Sequence, residues 1–140
     1  MELKIDTGAL RIPICRDGQQ TGELRFSPKD VNFVQGFYDL YASYEALAEQ
    51  YSRRAGALKP EDDEGYFALL RELGEAVRAG IDKLFGAGTS DAAFGAFVGH
   101  PDVYAQFFEG LLEAVTRERQ AELAPYLPKQ EADAEGDGLV

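Results

Sequence analysis

The stretch GAGTS, Gly86 to Ser90, is the part of this chain closest in type to a catalytic device, because glycines running into Ser or Thr can cradle a phosphate with backbone N–H groups. A phosphate loop of that kind follows a strand and places Lys before the hydroxyl. Here Leu84 and Phe85 close an apolar helical pattern, and Asp91 follows the hydroxyls. The same residues fit a structural role: Gly86 and Gly88 let the chain leave a helix, Thr89 or Ser90 caps the next turn, and Phe85 and Phe94 return to the core on either side. Cys15 beside Arg16 has the setting of an activated thiolate but no convincing base. The one histidine, His100, precedes Pro101 and reads as a loop residue at a helix start, and one Cys with one His cannot hold zinc within a single chain. The acidic run EDDEG, residues 61–65, lacks the alternating oxygen ligands and distal Glu of a calcium loop and reads as a solvated helix start. The expectation is a protein with no catalytic residues, no cofactor and no metal. Enzymatic activity would require a site shared between subunits.

Charge narrows the partners. Against 14 basic residues stand 25 acidic ones, a net charge of -11, which repels both a nucleic-acid backbone and an anionic membrane surface. The opening MELKIDTGAL lacks the basic flank and apolar run of a signal peptide, and no apolar stretch approaches the roughly 20 residues of a membrane span. A soluble cytoplasmic protein is expected, with neither nucleic acid nor membrane as partner. The 140 residues suit one domain with one core.

The elements that must position these residues read as α+β, mainly α. Leu10, Ile12 and Ile14 alternate, RDGQQTG supplies turn chemistry, and Leu24 and Phe26 resume the alternation, which predicts a β-hairpin within residues 1–26 and room for a third short strand at Leu3–Ile5. Pro13 confines its strand to a sheet edge. The segment SPKD then offers Ser27 as an N-cap, Pro28 in the first turn and Asp30 three residues on. Phe33, Phe37, Leu40, Tyr44, Leu47 and Tyr51 form one stripe of a long helix, whose stop is expected at Gly56 in a left-handed cap, with Pro60 beyond. A second helix follows EDDE through Tyr66, Phe67, Leu70, Leu73, Val77, Ile81 and Leu84, with Gly74 and Gly80 as candidate sites of close helix packing. A helical turn at DAAF and a last helix from Pro101, with Tyr104, Phe107, Phe108, Leu111 and Val115 on its apolar face, complete a bundle of about three main helices. The predicted domain is 1–124, with 27–124 helical, and the acidic stretch 125–140 is expected to be a disordered tail.

Tyrosines on the first helix invite a second reading. Tyr38, Tyr41, Tyr44 and Tyr51 combine an apolar body with a polar tip, which suits a surface buried part of the time as well as a roof over a small sheet.

The stretch IDKLFGAGTSDAAFG resembles the hallmark segment of a family of tail assembly chaperones from long-tailed phages and prophages of Gram-positive bacteria. The family pattern is Ile-Asp-x-hydrophobic-Phe-Gly-x-Gly-Thr-Ser-x-x-x-Phe-Gly, and the matches are Ile81, Asp82, Phe85, Gly86, Gly88, Thr89, Ser90, Phe94 and Gly95. Ala87 stands where that family often carries an acid. The order of parts from Leu24 to Glu118 is also similar, although only the motif is specific. The resemblance implies a non-catalytic protein of the host cytoplasm that coats and solubilises the tape measure protein during virion morphogenesis. It further implies contacts with the tail tube protein, with further copies of itself and with a longer, frameshifted form of itself. Tyr38, Tyr41, Tyr44, Tyr51, Phe107 and Phe108 are the candidate client or subunit contacts, and the motif is the candidate scaffold of a subunit interface. A minus-one slippery site could encode Pro128-Lys129, if the Leu127 codon ends in C. The alternative is a helical adaptor unrelated to tail assembly, binding one short partner in fixed stoichiometry.

Overall fold

Asp17 and Gly18 both take positive φ, 53° and 84°, the backbone that matches the twist of a two-residue hairpin. They join β1 (Leu10–Arg16) to β2 (Gln19–Phe26) in an antiparallel pair running from Leu10↔Phe26 to Arg16↔Gln19. A bulge sits between Ile14 and Cys15, where Ile14 faces Gly22 and Cys15 faces Gln20. The computed structural model describes residues 1–123 of the chain, so the expected tail at 125–140 and the Pro128-Lys129 site lie outside the described residues. Among those residues the sheet has two strands: the third strand expected at Leu3–Ile5 does not form, and Leu3 and Ile5 stand in solvent.

Helix α1 (Val31–Gly56) begins at Asp30, whose carboxylate accepts from the N–H groups of Asn32 at 3.0 Å and Phe33 at 3.4 Å. Asp30, and not Ser27, is therefore the cap. Ser27 Oγ instead donates to the Thr7 carbonyl and accepts from Lys29 N–H, forming a turn before the helix. The expected left-handed stop at Gly56 does not occur. The helix runs through Gly56 and ends at Ala57 with ordinary right-handed φ, its N–H shared between the Arg53 and Arg54 carbonyls while Leu58 N–H donates to the Ala55 carbonyl. Helix α2 (Asp63–Phe85) starts from Asp62, which accepts from Gly65 N–H at 2.9 Å, with Asp63 and Glu64 in the positive first turn. The acidic run is thus spent on starting a helix.

A short α3 (Thr89–Phe94) and a long α4 (Pro101–Leu123) complete the fold, which is α+β and mainly α. Helices α1 and α2 run antiparallel. A Cβ at Gly80 would stand 2.7 Å from Leu40 and one at Gly36 would stand 2.9 Å from Leu84, so glycine permits the close approach of the pair. Gly74 does the same for α4, where the Tyr104 hydroxyl would meet a Cβ at 2.6 Å. Two connected groups of buried side chains result. Leu73, Val77 and Ile81 of α2 pack with Phe94, Tyr104 and Phe108, while Leu24 and Phe26 of the hairpin pack with Phe37, Leu111 and Val115. Burying each large apolar side chain contributes about 1.5–3 kcal/mol.

Candidate functional site

The motif builds the corner between α2, α3 and the hairpin. Ile81 is fully buried in the last turns of α2, and one residue later Asp82 directs its carboxylate across the loop. Gly86 and Gly88 adopt φ of 112° and 91°, which side chains resist, and swing the chain so that Ser90 faces Asp82. Ser90 donates its N–H to Asp82 Oδ1 at 2.8 Å and its Oγ to Oδ2 at 3.0 Å. The expected cap is thereby corrected. Gly88 holds the N-cap position and makes no side-chain bond, Thr89 and Ser90 lie inside the helix, and the capping anion comes from the preceding helix. Thr89 Oγ turns back to donate to the Gly86 carbonyl at 2.9 Å. The N–H and hydroxyl groups of Thr89 and Ser90 are engaged by protein oxygens.

At its other end α3 is held by two arginines. Arg16 of β1 donates to the Asp91 and Ala92 carbonyls at 2.9 and 3.0 Å, and Thr21 of β2 also donates to Ala92. Arg78 of α2 donates to the Gly95 and Phe97 carbonyls at 2.7 and 2.8 Å, reaches the Asp91 carboxylate at 3.3 Å, and lies 5.6 Å above the Phe94 ring. Both cations meet the negative end of the helix dipole. Gly95 turns out with φ 60°, and Phe94 enters the core edge-on to Tyr104 at 5.0 Å. Phe85, half-buried, lies edge-on to Phe107 at 6.2 Å. The nine motif residues are thus brought together as one structural unit, and the one departure, Ala87, is exposed.

The six aromatic contact candidates do not form one free face. Phe108 is fully buried, stacked on Tyr44 at 4.3 Å and edge-on to Tyr41 at 6.2 Å, so it serves the core and no partner reaches it. Tyr104, four residues before it, is also buried, which places that line of α4 inward. Tyr41 and Tyr44 are half-buried between α1 and α4; burial, then the Glu109 carboxylate and Tyr41, push the Tyr44 hydroxyl above the ordinary tyrosine range. Phe107 is half-buried against Phe85 and Phe94. Tyr38 alone is exposed, at 43%. Tyr51 is half-buried beside Tyr66, at a ring separation of 6.4 Å; burial, then the Tyr66 hydroxyl, push it up to about 12.

Tyr51 marks a region that the aromatic stripe alone did not single out. The buried residues of α1 are Val34 and Phe37, and those of α2 begin at Leu69. The end of α1 and the start of α2 therefore project as a helical pair, joined by Tyr51–Tyr66 and by an Arg54–Glu72 ion pair at 2.9 Å. Phe67, adjacent to Tyr66, is 50% exposed. The signal was the adjacency itself: neighbours on a helix point about 100° apart, so with Tyr66 turned toward α1, Phe67 faces elsewhere.

A groove of about 720 Å³ runs between β1 and the α3–α4 side of the bundle, lined by Ile12, Ile14, Ala93, Phe97, Phe107 and Leu111 among others. Cys15, exposed, sits at its β1 wall. His100 pairs with the Asp102 carboxylate at the start of α4. Among the described residues no group of three or more His, Cys, Asp or Glu side chains is placed to hold a metal ion, and no helix is long and apolar enough to cross a membrane. Compared with protein-family models, with curated proteins and with solved structures, the chain matches none.

Proposed function

We propose that this chain is a non-catalytic tail assembly chaperone that binds the helical tape measure protein and keeps it soluble in the host cytoplasm until tail tube subunits replace it. The observation that carries the reading is the coherence of the Ile81–Gly95 segment. Its matched glycines take the positive φ values, its Asp and Ser make the paired hydrogen bonds, and its Ile and Phe residues enter or flank the core. A segment with so many joint requirements is a unit that relatives would share whole, which gives weight to the resemblance.

The client contact is the α1–α2 projection. Two helices that bury few residues against the body present a site where a third, amphipathic helix can complete a bundle, with Phe67 as the anchor. Its surface carries Glu45 and the run Glu61 through Glu64 against Arg53, Arg54 and Lys59, an acidic excess that favours client helices with a basic flank. Repeated weak contacts along a long client allow displacement one copy at a time.

The test is expression of the native gene with its downstream DNA, without recoding, together with the longest helical protein encoded nearby. Expected are a second, longer product diverging near Leu127 to Gln130 and a soluble complex holding many copies of this chain per client. A single product with a fixed one-to-one complex would favour the adaptor reading, and no complex would overturn both.

A further inference from the structure

We draw no further inference here: the strongest candidate, the apolar groove between β1 and the α3–α4 side of the bundle, walled by Ile12, Ile14, Phe97 and Phe107, carries none because nothing in the structure shows what covers it.

Discussion

The α2–α3 corner and the α1–α2 projection are both helix–helix connections, and they are held by different means. At the corner, side chains from β1, β2 and α2 converge on a helix of six residues, and buried Ile81, Ser90 and Phe94 sit within fourteen positions of one another. At the projection two helices are tied to each other by an aromatic pair and by an ion pair whose side chains are 54% and 62% exposed, with Leu47 and Tyr51 only half-buried against the core. An exposed pair of that kind contributes little, because solvent and salt screen both charges. The difference teaches where stability is kept and where deformation is cheap: local opening is drawn from regions with few buried contacts.

The largest effect is expected at Phe94→Ala, which removes a ring packed on Tyr104 and Phe107 and leaves Arg78 without its aromatic floor. Urea unfolding should show a loss of about 3–5 kcal/mol, a large share of the roughly 5–15 kcal/mol that a domain has. Asp82→Ala comes next, at about 2 kcal/mol, because it strands the N–H and hydroxyl of the buried Ser90 together. Ser90→Ala removes one of those donors along with its need and should cost about 1 kcal/mol. An equal cost for Asp82→Ala and Ser90→Ala would show that the carboxylate does not serve the backbone N–H, and the corner would lose its lock.

That lock shows what was legible in the sequence and what was not. The hairpin, the two long helices and the short turn after the glycines follow from periodicity and turn chemistry, because those signals act within a few residues. The close approaches at Gly74 and Gly80 were legible for the same reason. Caps were read less well. Ser27 and Ser90 are good cap residues by type, but Asp30 and Asp82 do the work because a carboxylate offers charge as well as an acceptor to free N–H groups. Gly56 stayed helical, and the chain leaves the helix one residue later at Ala57 without a left-handed turn. Arg16 and Arg78 reach carbonyls across elements, and no spacing rule within one helix exposes such contacts. For the aromatic residues, the stripe on α1 was correct as a stripe, yet α4 covers part of it, which only packing decides.

At the projection the expected effects are smaller and take the form of pH dependence. Tyr51 is pushed up from 10.0 to about 12, first by burial and then by Tyr66, so the folded chain holds this proton more tightly than the unfolded one. The stabilisation is fully present below pH 10 and is lost as pH rises toward about 12. Thermal unfolding followed over that window should fall in the parent and fall less steeply in Tyr51→Phe. An unchanged slope would place the titrating group elsewhere and weaken the aromatic pair as the tie between the helices.

The smallest effect on stability, and the sharpest test of the comparison, is Phe67→Glu. A ring that is 50% exposed leaves little packing to lose, so unfolding should shift by no more than about 0.5 kcal/mol. A carboxylate there has the opposite consequence for a helical client, because an apolar anchor is replaced by a charge that must be desolvated on binding. Capture of the tape measure protein should drop by about tenfold or more, while Phe94→Ala, assayed where it remains folded, should spare capture. If Phe67→Glu instead costs as much stability as Asp82→Ala, the projection is as firmly built as the corner, and the client-binding role has to be sought on another face. If stability holds and capture falls, the two regions divide the labour: the corner fixes the fold, and the loosely held helices meet the client.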